Sequence, residues 1–240
     1  MTPECLINLQ RKYLMELPIV VGKNSSGNDY IINLEALPNL FISYYEEEQL
    51  ETIFNHLILD LINNKSPVQL AVSFSRKLSE NLLPLIVDRK IEIQFVHSET
   101  KEVINSIDEF ISALFLELKN RRKIKNKRIQ KLSDTIIVVF IDNIFEVIMS
   151  SHKKIGLAFI ELLVNGPHRS IYFITGSSGI YKNLLDQLIN LSPALKRKLQ
   201  GSKHNLKIDE PLAAELIINP DGLIFFRERI KKDFVRLFPF

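Results

Sequence analysis

The sequence is poor in the residues on which several common kinds of site depend. Its 240 residues include one cysteine, Cys5, which excludes an intrachain disulfide and a cysteine-built zinc cage. No uncharged run approaches the ~20 apolar residues that span a bilayer, and residues 1–13 lack the apolar core of a secretory signal. The five histidines form no H-x-x-x-H pair, so we expect no metal site. These absences predict a protein of the reducing cytoplasm.

Charge is modest in total but uneven along the chain. The formal net charge of +3 is too small to indicate a nucleic-acid-binding protein by itself. With 46% apolar and 25% charged residues, the composition is that of a globular protein, and we expect one domain over residues 1–240 with residues 1–16 as an extension. A basic stretch at residues 119–131 contains eight basic side chains: Lys119, Arg121, Arg122, Lys123, Lys125, Lys127, Arg128 and Lys131.

Short apolar runs alternate with stretches of helical spacing. The runs predict strands at residues 40–43, 70–74, 91–96, 136–141 and 171–175. The run at 136–141 has no polar alternation, which is typical of a central parallel strand covered on both faces. Apolar residues at three- and four-residue steps predict helices over 50–61 and 103–118. The alternation predicts a mostly parallel sheet between helical layers.

Each end of the predicted sheet region carries a hairpin signal. Near the amino terminus, Gly22 to Gly27 separate two apolar runs within residues 17–34. Near the carboxyl terminus, residues 223–226 and 234–238 are apolar, and a turn sequence at 219–222 precedes them. We therefore expect a β-hairpin at both places.

The order of these pieces resembles the motor domain of the FtsK/SpoIIIE family, within the group of HerA-type hexameric translocases. The similarity lies in short segments: Leu17-Pro18 with Gly22-Lys23 and Gly27, residues 37–42, residues 118–122, the run 136–142, and the closing segments 222–225 and 234–237. The resemblance implies a three-layer RecA-like P-loop NTPase fold. It also implies where a phosphate-binding loop and a Walker B strand should stand.

The segment in the place of the phosphate-binding loop has changed at every functional position. A loop of the form G-x-x-x-x-G-K-[ST] works because its glycines admit the phosphates, its lysine neutralises them and its hydroxyl holds Mg²⁺. Over residues 44–51, Tyr44 and Gln49 replace the glycines, Leu50 replaces the lysine and Glu51 replaces the hydroxyl. We expect neither ATP nor Mg²⁺ to bind here.

Three consecutive acids, Glu46, Glu47 and Glu48, stand where the loop would lead into its helix. They would repel a triphosphate. Carboxylates also stabilise the positive end of a helix, by ~0.3 to 1 kcal/mol each at exposed sites. One interpretation is that they do what nucleotide phosphates do in active relatives, and the other is that they form an ordinary acidic first turn.

Three polar positions at strand ends complete the degenerate site. Asp142 stands at the place of the Walker B acid, while Asn143 occupies that of the catalytic glutamate, and an amide cannot act as a base. The preferred interpretation of Asp142 is nevertheless a helix N-cap, because an Asp between a strand and a helix start is common in that role. Ser178, within the sequence of residues 175–179, falls near the family's polar sensor, and this segment is either a strand-to-helix turn or an anion-binding nest.

The basic stretch also has two interpretations. It would contact nucleic-acid phosphates, or it forms the solvated end of the helix predicted at 103–118, where basic residues are favoured. It lacks the interleaved aromatic residues that stack on single-stranded bases.

The preferred hypothesis is a catalytically inactive FtsK/SpoIIIE-like homologue. It would act as an interaction or scaffold subunit that assembles with itself or with an active paralogue. The alternatives are a DNA-binding module of a translocation, segregation or conjugation system, and an ATPase with a non-standard site.

Overall fold

The computed structural model describes most of the chain, namely residues 17–63, 68–88, 93–98, 106–123, 135–144, 153–178, 214–228 and 233–240. Its strands are β1 Pro18–Lys23, β2 Asp29–Asn33, β3 Asn39–Tyr44, β4 Val68–Phe74, β5 Ile93–Ser98, β6 Ile136–Ile141, β7 Ile171–Ser178, β8 Ala214–Ile218, β9 Ile224–Glu228 and β10 Val235–Leu237. Its helices are α1 Glu47–Asn63, α2 Arg76–Asp88, α3 Ile107–Lys123 and α4 Lys153–Asn165, and a 3₁₀ turn covers Pro167–Arg169. None of these described helices has the length and apolarity needed to cross a membrane.

An eight-stranded sheet in the order β10-β9-β8-β3-β7-β6-β4-β5 organises the fold. The strands from β8 to β5 run parallel to their neighbours, whereas β9 and β10 are antiparallel additions at one edge. The parallel register places the carboxyl ends of β3, β7, β6 and β4 side by side. The segments that leave these four strands therefore meet at one edge of the sheet.

Helices cover both faces of the parallel strands, and the sequence of β6 reflects this. Val138 and Phe140 join a core with α1, α2 and the β1–β2 hairpin. Ile137, Val139 and Ile141 join a second core with α3 and α4. Because neither face of β6 meets water, it shows no polar alternation. The predicted three-layer α/β fold is confirmed.

The two predicted hairpins are also confirmed, and they touch each other. β1 pairs with β2, and β9 pairs with β10. Lys23 and Phe238 exchange backbone hydrogen bonds of 2.9 and 2.8 Å, which join β1 to the end of β10. His56 of α1 stacks on Phe240 with ring centroids 3.6 Å apart.

Several predicted boundaries shift. The strand expected at 91–96 is described as Ile93–Ser98, and the helix expected at 103–118 as Ile107–Lys123. β7 continues to Ser178, three residues past the predicted end, and β8 was not predicted at all.

Candidate functional site

The turn between β3 and α1 is held by side-chain bonds. Gln49 Oε1 accepts hydrogen bonds from the backbone N–H groups of Tyr45, at 3.1 Å, and Glu46, at 3.3 Å. Gln49 Nε2 donates to the carbonyl of Asn219, at 3.0 Å, and so ties the turn to the β8–β9 connection. The bond from the Glu46 N–H to Gln49 is one half of a capping box, in which a side chain of the first helical turn reaches back to the residue before the helix. Gln49 thus engages two N–H groups that a phosphate-binding loop would offer to its ligand.

Leu50 points into the protein interior from the first turn of α1. Its side chain is fully buried in the core between α1, α2 and the sheet. It lies against Gly176 of β7, because a Cβ atom at Gly176 would stand 2.8 and 3.0 Å from the two methyl carbons of Leu50. The same Cβ would stand 2.5 Å from the carbonyl oxygen of Asp142. Only a residue without a side chain lets Leu50 and the end of β6 come this close to β7.

Asp142 belongs to a chain of polar contacts at the carboxyl edge of the sheet. Asp142 is 6% exposed, and its carboxylate accepts a hydrogen bond from the backbone N–H of Ser75, directly before α2. The Ser75 hydroxyl donates to Glu47 Oε1 at 2.6 Å, and Tyr44 Oη donates to the Asp142 carbonyl at 3.3 Å. The described bond of the carboxylate therefore serves the start of α2. Asn143 follows, half-buried.

The three consecutive acids Glu46, Glu47 and Glu48 differ in their position and contacts. Glu46 is exposed and precedes the helix, so it is outside the acidic first turn, which consists of Glu47 and Glu48. Glu48 forms an ion pair with Lys77 of α2, in which the two side chains are 65% and 46% exposed. The hydrogen bond from Lys77 lowers the pKa of Glu48, and the hydrogen bond to Glu48 raises the pKa of Lys77.

One further acid of α1 points to α2. Glu51 Oε1 accepts a hydrogen bond of 3.0 Å from Asn81 Nδ2. Together with Glu47 and Glu48, it makes three carboxylates of α1 that contact the first two turns of α2 or the residue before it.

The segment at residues 175–178 is not the turn that its glycine and hydroxyls predicted. Thr175, Gly176 and Ser177 are buried inside β7, and Ser178 is its exposed last residue. β7 is sandwiched between β3 and β6, so its backbone groups continue the ladder: Tyr44 pairs with Ser178. Gly179 lies outside the described residues.

Two of the four described cations of the basic stretch, Arg121 and Arg122, are engaged in packing. Arg121, 5% exposed, donates to Glu117 Oε1 at 2.7 Å and to the carbonyl of Arg169 at 2.8 Å. Arg122 Nη1 donates to Glu161 Oε1 of α4 at 2.5 Å. The interpretation of a solvated helix end is therefore wrong for Arg121, which is buried because it continues the apolar side of α3.

Two other cations of the stretch are exposed at the end of α3. Lys119 lies over the ring of Phe115, 4.3 Å from its centroid, and Lys123 Nζ donates to Asn120 Oδ1 at 3.4 Å. The remaining four predicted cations lie outside the described residues: Lys125, Lys127, Arg128 and Lys131.

Sequence reasoning missed two residues that build the site, Ser75 and Lys77, and gave Gly176 and Asn219 other roles within predicted turns. A signal existed for Ser75, since it follows β4, which was predicted, and the ends of parallel strands meet at one edge. Within the described ranges, no group of three or more His, Cys, Asp or Glu residues is arranged to hold a metal ion.

Comparisons with known proteins agree with the fold. No protein-family model matches the chain. A curated relative, the DNA translocase FtsK of Chlamydia pneumoniae, is 22% identical over an alignment 242 positions long, gaps included, which covers 88% of this chain and 29% of that protein. The chain thus spans less than a third of the length of this relative.

Solved structures extend the comparison. The cytoplasmic domain of the Type VII secretion ATPase EccC of Thermomonospora curvata is 13% identical, with a TM-score of 0.61 over 93% of this chain and 26% of that one. The pCW3 conjugation coupling protein TcpA, solved in a monomer form with ATPγS, is 13% identical, with a TM-score of 0.61 over 92% of this chain and 65% of that one. The sequence match and the shared fold support an FtsK/SpoIIIE-like domain in this chain.

Proposed function

We propose that this FtsK/SpoIIIE-like domain does not bind or hydrolyse ATP and serves as an interaction or scaffold subunit, alone or beside an active paralogue. The observation that carries the proposal is Leu50, which is fully buried against Gly176 at the place where a phosphate-binding lysine would stand. An apolar side chain there supplies no charge to a phosphate. It also fills the space between α1 and β7.

Electrostatics of the turn support the same proposal. A triphosphate carries several negative charges, and the turn presents Glu46, Glu47 and Glu48 to it. Two N–H groups of the turn already donate to Gln49. A bound nucleotide would have to break these bonds and overcome the repulsion between its phosphates and the carboxylates.

The donor set also differs from that of a magnesium–nucleotide site. Glu51 takes the place of the hydroxyl that would hold Mg²⁺, and it accepts a bond from Asn81. Asn143 cannot act as the base that polarises the attacking water. Asp142 alone retains its acid, and its carboxylate is hydrogen-bonded to the backbone of Ser75.

Isothermal titration calorimetry with ATP and Mg²⁺ tests this proposal. We expect no binding heat at millimolar nucleotide, because the site is filled and anionic. A variant with Glu46→Gln, Glu47→Gln and Glu48→Gln removes the repulsion but keeps Leu50, and we expect it to show no binding heat either. Saturable binding by the unaltered chain would refute the proposal, and turnover that Asp142→Ala abolishes would establish an active non-standard site instead.

A second candidate function is DNA binding through the basic stretch, because Lys119 and Lys123 are exposed at the end of α3. The packing of Arg121 and Arg122 removes two of its eight cations from this role. A gel-shift assay at increasing salt tests it, with Lys119→Gln and Lys123→Gln as the variants. If the protein bound DNA but neither salt nor these substitutions weakened the binding, the basic stretch would not be the DNA-binding surface.

We also propose a cytoplasmic location. The chain has a single thiol, and the EccC structure with the same fold is described as a cytoplasmic domain. Fractionation of cells that express the full-length protein tests this.

A further inference from the structure

One side of α1 contacts both hairpins through polar residues. His56 follows Gln49 by seven positions and Asp60 follows Gln49 by eleven, which corresponds to about two and three full turns of a helix. The three residues therefore lie in one line along α1, and we call them the α1 stripe. Their contacts lead to the turn between β8 and β9, to the segment after β10 and to β1.

Two residues of the α1 stripe hold the second hairpin, which consists of β9 and β10. Gln49 Nε2 donates to the carbonyl oxygen of Asn219 at 3.0 Å, in the turn that leads into β9. The ring of His56 stacks on the ring of Phe240, three residues past the end of β10, with centroids 3.6 Å apart. The second hairpin is therefore tied to α1 both before β9 begins and after β10 ends.

The third residue of the stripe holds β1, and β1 in turn holds the second hairpin. Asp60 Oδ2 accepts a hydrogen bond of 2.7 Å from the backbone N–H of Val20 in β1. At the end of the same strand, Lys23 exchanges its two backbone hydrogen bonds with Phe238. α1, β1 and the second hairpin therefore form a closed set of contacts in which each element touches the other two.

Gln49 is the member of the stripe that also reaches the turn before α1. Its Oε1 accepts from the N–H groups of Tyr45 and Glu46, while the Nε2 of the same amide donates to Asn219. One rigid, planar amide thus joins two turns that lie 170 residues apart in sequence. Any group that bound these two N–H groups would displace the amide oxygen and disturb the bond to Asn219.

We propose that Gln49 couples the turn before α1 to the second hairpin. When the amide is displaced from the turn, the hairpin loses one of its ties to α1, and when the hairpin moves away, the amide loses the bond that orients it. Thermodynamic linkage requires these two effects to be reciprocal. Binding to the N–H groups of the turn therefore competes with docking of the hairpin. The inference goes beyond the proposed function, because it concerns two parts of one chain and requires neither the binding of ATP nor its absence.

Amide hydrogen exchange of the full chain, followed residue by residue by NMR without nucleotide, tests the coupling. Gln49→Ala removes both halves of the amide. We expect exchange to become about three- to tenfold faster at Tyr45 and Glu46, which lose their acceptor. The same variant should speed exchange at Gly222 and Phe238, whose N–H groups bond within the β8–β9 turn and to β1, because the hairpin is held less firmly.

A second variant, Gln49→Glu, separates coupling from simple capping. A carboxylate keeps the acceptor oxygens for the two N–H groups of the turn, and Glu is a regular capping-box residue at this position. It has no N–H to donate to the carbonyl of Asn219, however. We therefore expect Tyr45 and Glu46 to stay protected while Gly222 and Phe238 exchange faster. If Gln49 were only a cap, the exchange of the hairpin amides would not change.

Two further variants provide the control and the reciprocal test. Thr52→Ala removes a side-chain hydrogen bond of 2.8 Å to the Glu48 carbonyl within α1, and it should leave the turn and the hairpin unchanged. His56→Ala removes the stack on Phe240 and should speed exchange at the Tyr45 and Glu46 amides about twofold, because the coupling acts in both directions. The amides of β6, a central strand, report global unfolding and should change less than those of the hairpin.

Several outcomes would overturn the coupling. They are a Gln49→Ala variant that opens the turn but leaves the hairpin amides as protected as before, a Gln49→Glu variant with an unchanged hairpin, a His56→Ala variant with an unchanged turn, and an acceleration in β6 as large as in the hairpin. Circular dichroism confirms that each variant is folded, and Gln49→Glu, which keeps the cap, decides the question if Gln49→Ala unfolds. Because no nucleotide is present, these outcomes are independent of the calorimetric test.

Discussion

The start of α1 and the end of α3 are both dense in charge, but the structure uses that charge in different ways. At the end of α3, Arg121 is 5% exposed and fastens the helix to the 3₁₀ turn, and Arg122 fastens it to α4. At the start of α1, Glu46 and Glu48 are exposed and Glu48 pairs with Lys77 of α2, while the buried position of that turn is taken by Leu50. Like charges thus hold elements together at the end of α3, whereas at the start of α1 they lie mostly at the surface. The difference depends on whether an individual charged residue is buried.

The largest effect is expected from Leu50→Ala. It removes a fully buried side chain from the core that separates α1 from β7, and such truncations cost about 2 to 5 kcal/mol of the free energy of unfolding. Urea denaturation measures it. Leu116→Ala, at a position that is 58% exposed, is the control and should change stability little. Equal losses for both variants would mean that Leu50 is not the packing element of this turn.

The next effect sharpens the difference between the two charged regions. Arg121→Met removes a buried cation and leaves the carbonyl of Arg169 and the Glu117 carboxylate short of a donor, which we expect to cost about 2 to 3 kcal/mol. Arg122→Met breaks a half-exposed pair and should cost about 1 kcal/mol or less. Thermal unfolding of both variants measures the difference. If Arg122→Met proved the more damaging, the burial argument would fail.

A third substitution tests the close approach at β7. Gly176→Ala places a Cβ 2.5 Å from the backbone oxygen of Asp142, and we expect a loss of about 1 to 3 kcal/mol from the shift this forces. Combined with Leu50→Ala, the loss should be smaller than the sum of the two, because the alanine at 50 removes the methyl contacts. A double-mutant cycle by urea denaturation measures the coupling. Strict additivity would place Leu50 and Gly176 out of contact.

The smallest effect is expected at the surface pair of Glu48 and Lys77. The pKa of Glu48 is lowered in the folded protein, so its contribution to stability is present above its ordinary pKa of 4.5 and is lost as pH falls through the lowered pKa. Comparing the acid unfolding of Glu48→Gln with that of the unaltered chain should show a small difference at neutral pH that disappears in acid. A difference that grows as pH falls would have the wrong sign for this pair.

The fold follows from the sequence more fully than the site does. Apolar runs predicted β3, β4 and β6 well, because strands covered on both faces must be continuously apolar. β8 was missed since its Glu215 interrupts the apolar run, and only its pairing with Arg227 of β9 explains how this acid is buried. β7 was cut short at Thr175, because buried hydroxyls and a glycine look like a turn unless the flanking strands are known.

The site depended on packing that the sequence does not display. Arg121 was foreseeable in part, because it stands three residues after Leu118 and seven after Leu114 on the apolar side of α3. The contact of Leu50 with Gly176 joins residues far apart in sequence, and the pairing of Glu47 with Ser75 depends on how two loops meet. Only the distances between elements reveal these contacts.

The backbone pairing of Lys23 with Phe238 has a consequence for how this chain reaches its native state. β1 can pair with β2 as soon as both are made, but the bridge from Lys23 to Phe238 cannot form until the chain has been made as far as residue 238. Contacts between such distant positions slow folding, because the intervening chain must first be ordered. We therefore expect the backbone hydrogen bonds between Lys23 and Phe238 to form late. Until they form, the edge of β1 that Lys23 turns toward Phe238 is unpaired, and premature association would begin there.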